Sequence, residues 1–161
     1  MYTEPLVDPF PMLLAELRAD ADVVGLVGTD PFGRVRVRAD EPAPASANAS
    51  RSITYEGDVR DAKNYQRFVV ISTLDEPPHP RVPTIRGLYI VQCYAATYQQ
   101  AREIWAAVVK AVHGVGARTS GGVAIYESMI DTGGEKDHDP DTYQPLIRGT
   151  IRATSSGMAV V

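Results

Sequence analysis

The residues whose spacing comes closest to a known chemical motif form an acidic run near the end of the sequence. Asp137, Asp139 and Asp141 occupy the first, third and fifth positions of a calcium-binding loop pattern. The sixth position is Thr142 where the loop needs glycine, and the twelfth is Arg148 where a bidentate glutamate belongs. We therefore interpret the acidic run as the solvated tip of a hairpin and predict no metal site.

Other groups that carry chemistry are scattered. His79, His113 and His138 fall in three different predicted elements, and no pair has the spacing of a metal-binding helix or hairpin. Ser72 and Ser128 fall within predicted strands rather than on a glycine-flanked turn, so no catalytic triad is indicated. The sequence therefore predicts no catalytic residues and no cofactor.

A period-two repeat of arginine is the more informative pattern. Arg34, Arg36 and Arg38 alternate with apolar residues, and Arg148 and Arg152 share one side of a second predicted strand. If these strands are neighbours, five guanidinium groups lie on one sheet face and suit an acidic subunit or a DNA backbone. Ordinary exposed alternation in an antiparallel sheet explains the same pattern without a partner, and both interpretations stay open here.

The elements that position these residues are organised around one strand and one helix in residues 84–116. Alternation places Tyr89, Val91, Cys93 and Ala95 on one face of a strand. The pattern then changes to steps of three and four residues, which predicts an amphipathic helix capped by Thr97. The predicted apolar stripe of this helix is Tyr98, Ala101, Ile104, Trp105, Val108, Val109 and Val112, and the helix ends before Gly114 and Gly116.

The remaining pattern predicts a helix from Pro11, a second short helical turn closed by Gly28, and further strands. We expect an α+β fold: an antiparallel (mixed) sheet of about four to five strands, with an N-terminal helix and one long helix packed on one face. The predicted strands are 33–38, 67–74, 123–131 and 143–153 besides the central one, with a brief strand at 53–55.

Composition is consistent with one domain. The 161 residues are 44% hydrophobic and carry a formal net charge of -4, which indicates no general affinity for nucleic acid. The one cysteine, Cys93, excludes an internal disulfide, and no apolar run approaches the roughly 20 residues that span a bilayer. We expect a cytosolic or particle-bound protein with no signal peptide. Within the single domain 1–161 we expect an arm at 1–10, a long loop at 39–65 and a hairpin tip at 132–142.

Two segments resemble a known family. LLAELRADADVVGLVG, followed by GRVRV, is similar to the start of the tail terminator and tail completion proteins of long-tailed bacteriophages. LYIVQCYAATYQQAREIWAAVVKAV resembles their central strand and helix, including the Thr-Tyr-x-x-Ala start of that helix at Thr97. The resemblance covers about half of the chain, weighted to residues 12–37 and 67–112, and carries no catalytic residue. The loops at 40–64 and 75–83 look long for the family.

The resemblance implies a structural virion protein rather than an enzyme. Members form a ring, usually hexameric, at the head-proximal end of the tail tube, stop tube polymerisation and join the tail to the head and neck. The implied partners are copies of the chain, the tail-tube protein, neck connector proteins and DNA that passes through the lumen without sequence-specific binding; no membrane is implied. The implied location is the tail–neck junction of a virion made in the host cytoplasm. The alternatives are another neck component, such as a head-closure or adaptor protein, or a small cellular α+β ligand-binding domain.

Overall fold

The computed structural model describes residues 10–30, 32–39, 67–75, 84–120, 123–140 and 143–156. Over these ranges the chain forms three helices and six strands, and none of the helices is long and apolar enough to cross a membrane. The helices are α1 (Phe10–Ala19), α2 (Ala21–Val27) and α3 (Tyr98–Val112). The strands are β1 (Val37–Ala39), β2 (Phe68–Asp75), β3 (Thr84–Tyr94), β4 (Arg118–Ser120), β5 (Val123–His138) and β6 (Pro145–Ser156).

The six strands form one mixed sheet in the order β1-β2-β3-β6-β5-β4. β1 runs parallel to β2, and every other neighbouring pair is antiparallel. The predicted α+β class is confirmed, with one more strand than the expected four to five because the short β4 was not predicted. The helical N-terminal segment is divided into two helices by Asp20, whose carboxylate caps α2 by accepting from the backbone N–H groups of Asp22 and Val23.

α3 packs across β3, β5 and β6. Its first turn is fixed by Thr97, whose hydroxyl accepts a hydrogen bond from the Gln100 backbone N–H at 3.2 Å, as predicted. Gly114, with a φ of 68°, takes the left-handed conformation that follows the helix. Five residues of the predicted stripe are buried: Ala101, Ile104, Trp105, Val108 and Val112. Val109 is partly buried, Tyr98 is exposed, and Ala107, which was not predicted, is buried as well.

The main core lies between the helices and one face of the sheet. Tyr89, Val91 and Cys93 of β3 are fully buried there, beside Ile151 of β6. Burying an aliphatic side chain of this size contributes roughly 1.5–3 kcal/mol. We call the opposite side of the sheet the outer face. It carries a smaller buried cluster at one end, formed by Phe68, Val70, Tyr94 and Leu146.

One ion pair joins four elements around the main core. Arg118 of β4 binds both carboxylate oxygens of Glu16 on α1, and its Nη2 also donates to the Ser128 hydroxyl at 2.9 Å. The Ser128 hydroxyl in turn donates to the Val112 carbonyl at the end of α3. The Arg118 and Glu16 side chains are 19% and 23% exposed, so water screens their attraction only partly.

The predicted strand at 123–131 and hairpin tip at 132–142 require correction. β5 continues to His138 because residues 135–138 pair with β6, including Glu135 opposite Arg148. The register shifts between Thr132 and Glu135, a bulge that contains Gly133 and Gly134. The connection between β5 and β6 is therefore confined to residues 139–144.

The predicted Arg-rich strand and N-terminal arm also differ from the structure, and other predicted segments lie outside the described residues. The Arg-rich strand predicted at 33–38 contributes only Val37 and Arg38 to β1, because Arg34 and Arg36 are held in the preceding connection. Phe10, assigned to the N-terminal arm, already belongs to α1. Residues 1–9, the brief strand at 53–55 and nearly all of the loop at 39–65 lie outside the described residues.

Gly149 tests how tightly α3 is packed on the sheet. A Cβ added at Gly149 would lie 2.2 Å from Cη2 of Trp105, so Gly149→Ala must displace the indole or the strand. We expect a loss of about 1–3 kcal/mol in the free energy of unfolding, which is typical of overpacking. Urea denaturation followed by circular dichroism measures it. The matched control is Gly133→Ala, where an added Cβ meets nothing within 4 Å; equal stability of the two variants would contradict this packing.

Candidate assembly surfaces

A buried carboxylate organises the connection between α2 and β1. The Asp30 side chain is 1% exposed and accepts hydrogen bonds from Nε of Arg34 at 2.8 Å and Nη2 of Arg38 at 2.9 Å. It also accepts from the backbone N–H groups of Phe32 and Arg34, each at 2.9 Å. Two cations and two backbone donors therefore converge on one carboxylate, which satisfies a buried charge.

This arrangement determines the charge state of Asp30. Burial alone would raise the pKa of the Asp30 carboxyl. The hydrogen bonds from the Arg34 backbone, the Arg38 and Arg34 side chains and the Phe32 backbone outweigh burial and hold the pKa well below its usual range. Asp30 is therefore ionised at neutral pH and fixes the conformation of the turn.

The turn that Asp30 closes presents an aromatic side chain to solvent. The Asp30 backbone N–H donates to the Arg34 carbonyl at 2.8 Å, and Gly33 takes a φ of 77°, which favours glycine. Phe32, in the middle of the turn, is 82% exposed. The Arg34 guanidinium carbon lies 5.2 Å from the centroid of the Phe32 ring, and the Arg34 side chain is 64% exposed. We call the described residues 30 and 32–34 the Phe32 turn.

The five arginines of the predicted basic face fall into separate groups. Arg34 and Arg38 share Asp30, whereas Nη1 of Arg36 donates to the Val27 carbonyl at the end of α2 at 3.3 Å. Arg148 and Arg152 lie on β6 and project from the outer face. β2 and β3 separate β1 from β6, so these two strands lie roughly 14 Å apart at the usual strand spacing and are not the neighbours that the sequence argument required.

Acidic partners accompany both arginines of the outer face. Arg148 pairs with Asp137, and Nη2 of Arg152 lies 2.8 Å from the Asp131 carboxylate. The side chains of these pairs are between 30% and 53% exposed, so each pair contributes little to stability. The pairing lowers the net positive charge of this surface. Contact of any of the five arginines with DNA or with another subunit stays a prediction.

The cysteine and the two histidines within the described ranges have structural surroundings. Burial raises the pKa of the Cys93 thiol well above its ordinary value, so the thiolate that nucleophilic attack requires is disfavoured. Nδ1 of His113 accepts a hydrogen bond from the Ile130 backbone N–H at 3.0 Å, joining the end of α3 to β5. The His138 ring stacks on Tyr143. Within the described ranges, which exclude His79 and Asp141, no group of three His, Cys, Asp or Glu side chains is placed to hold a metal ion.

A shallow groove runs between the solvent sides of α2 and α3. Its volume is about 500 Å³, and Lys110 Nζ lies 2.8 Å from the Asp22 carboxylate at its rim. Both of these side chains are more than half exposed, so the ion pair is weak. We call this surface the α2–α3 groove; its lining residues are Ala21, Asp22, Gly25, Leu26, Ala106, Ala107 and Lys110.

Neither surface was identified from the sequence. The order Asp-Pro-Phe-Gly at residues 30–33 is typical of a turn whose aspartate bonds to its own backbone, and this signal could have revealed the Phe32 turn. The groove has no local signal because it depends on how α2 lies beside α3, although Gly25 in the middle of a short helix is unusual.

Comparison with solved structures shows a similarity of fold. No protein-family model and no curated protein matches the sequence. The fold is similar to that of a chain in the solved structure described as "Virion of native gene transfer agent (GTA) particle". The TM-score is 0.57 at 18% sequence identity, and the match covers 90% of this chain and 92% of that chain.

The charge of Asp30 predicts an acid-sensitive contribution to stability. Because the folded pKa lies below the unfolded value of about 3.9, the contribution is present above about pH 4 and is lost as the pH falls through the folded pKa. We expect Asp30→Asn to be less stable than wild type at pH 7 and to lose less stability below pH 4. Urea unfolding at a series of pH values measures both effects.

The control for this experiment is Asp22→Asn, which removes a carboxylate that is 56% exposed. Since an exposed ion pair contributes little, this variant should keep the pH dependence of wild type. Identical acid profiles for wild type and Asp30→Asn would show that Asp30 is not the group responsible.

Proposed function

We propose that this chain is a structural subunit of a phage-like virion, and specifically a tail terminator. In this role copies of the chain form a ring, usually a hexamer, at the head-proximal end of the tail tube. The ring stops polymerisation of the tube and joins the tail to the head and neck, while DNA passes through the lumen. The chain catalyses no reaction in this role.

The observation that carries the proposal is the fold likeness to a chain of a gene transfer agent virion. It extends over 90% of this chain and 92% of the other, so it involves the whole arrangement of elements rather than one common motif. The similarity of the Thr97-Tyr98 helix start and its preceding strand to tail terminators is independent support. In the fold, these residues form the end of β3 and the start of α3, which pack at the centre of the domain.

The sheet offers an edge suited to contact with neighbouring chains. On this edge, β4 pairs only with residues 123–125 of β5. Further along β5, the Ile130 backbone N–H donates to the His113 side chain. Beyond it, residues 131–138 pair with β6 on one side and with no strand of the described ranges on the other. Unpaired strand edges present backbone donors and acceptors that another chain can complete.

The mechanism in this proposal is steric. A closed ring of identical subunits presents the same surface to the tube at every position, and only one side of the ring matches the tube end. Growth stops because the other side offers no surface on which tube protein adds. Arg34, Arg36, Arg38, Arg148 and Arg152 remain candidates for contact with a neighbouring subunit or with the DNA backbone.

Native mass spectrometry and negative-stain imaging test the proposal on the purified chain. We expect closed rings, alone or at the ends of added tail-tube protein, and tubes capped by the chain should stop lengthening. Binding to portal protein instead of tube ends would favour the head-closure or adaptor alternative. A chain that stays monomeric and leaves tube growth unchanged would contradict the proposed function.

A further inference from the structure

Gly25 in α2 is not explained by the packing of a single chain. It lies inside a seven-residue helix, is exposed, and a Cβ added there would meet nothing within 4 Å. Glycine in a helix interior lowers the folding equilibrium constant about fivefold relative to alanine. The space beside Gly25 would accommodate the methyl group of an alanine, and alanine would remove this loss in the folding equilibrium constant. Gly25 instead lines the α2–α3 groove together with Ala106 and Ala107.

The Phe32 turn is a second feature that the packing of a single chain does not explain. Phe32 remains 82% exposed although its own backbone N–H, the Arg34 backbone N–H and the Arg34 side chain all donate to the buried Asp30 carboxylate. A flexible loop would lose conformational freedom on binding, whereas this turn has already lost it on folding. Aromatic residues, phenylalanine included, and arginine are both enriched in protein interfaces.

The two surfaces match each other in chemistry. The groove offers an apolar floor of small side chains for the Phe32 ring, and Asp22 at its rim offers a carboxylate for Arg34. The Asp22–Lys110 ion pair is exposed and weak, so Asp22 can accept a second cation at little loss.

We propose that the Phe32 turn of one copy inserts into the α2–α3 groove of the next copy. The contact joins two different surfaces, so each subunit uses its turn toward one neighbour and its groove toward the other. Repetition of such a head-to-tail contact closes a ring when the rotation between subunits permits it. The inference rests on the proposed ring and names the surfaces that join its subunits.

Gly25→Ala distinguishes the proposed contact from a role of Gly25 in folding alone. If the contact exists, the variant should stabilise the single chain and yet weaken its self-association. The variant should raise the folding equilibrium constant of the single chain up to about fivefold, measured by urea denaturation at low protein concentration. It should also weaken self-association at least tenfold, measured by analytical ultracentrifugation. A more stable variant with unchanged self-association would overturn the inference.

A mixing experiment tests the head-to-tail arrangement. Phe32→Ala removes the turn's aromatic ring and keeps the groove, whereas Ala106→Leu fills the groove and keeps the turn. Each variant alone should assemble at least tenfold more weakly than wild type. An equimolar mixture should form a one-to-one heterodimer in native mass spectrometry and no ring, since one functional turn then meets one functional groove. A mixture that behaves as the sum of its components would overturn the inference.

Ala15→Leu is the control for Ala106→Leu, because Ala15 is also an exposed helical alanine but lies on α1, outside the groove. It should assemble as wild type does. If wild type forms rings and all the variants do so equally well, the inference fails and the proposed function stands. If wild type forms no assembly either alone or on tube ends, both fail.

Discussion

The close packing of α3 on the sheet is the constraint on which the rest of this structure depends. Trp105 lies against β5 and β6 at positions where only hydrogen projects toward it: a Cβ added at Gly134 or Gly149 would lie 2.8 Å or less from an atom of the indole. This close approach brings the apolar stripe of α3 into contact with β3, β5 and β6 together. The order of the sheet then fixes what each edge and face presents to its surroundings.

The surfaces that remain exposed to solvent after this packing differ in their chemistry. On the outer face, arginines of β6 are paired with aspartates of β5, which gives a polar surface of low net charge. On the helical side, small residues of α2 and α3 leave a groove. The Phe32 turn is held by a buried carboxylate rather than by the main core. Each of these surfaces is fixed by its own local interactions.

The elements with strong periodicity were predictable from sequence. The stripe of α3, the cap at Thr97 and the alternation around Tyr89 all follow from local spacing, and the structure agrees with them except at Tyr98, which is exposed. The second half of β5 was not predictable, because residues 132–138 are polar, contain two glycines and become a strand only through pairing with β6. The arginines were likewise only partly predictable from the sequence. Their spacing is visible in sequence, but their partners depend on sheet order and on the turn at Asp30.

The position of Trp105 has a practical consequence. It is the single tryptophan of the chain, it is 8% exposed, and it lies where α3 meets the hairpin of β5 and β6. The tryptophan fluorescence of the protein therefore reports on a single contact, the one between α3 and the β5–β6 hairpin. A shift in wavelength or intensity during association would report movement of the long helix relative to that hairpin, without any dye or label.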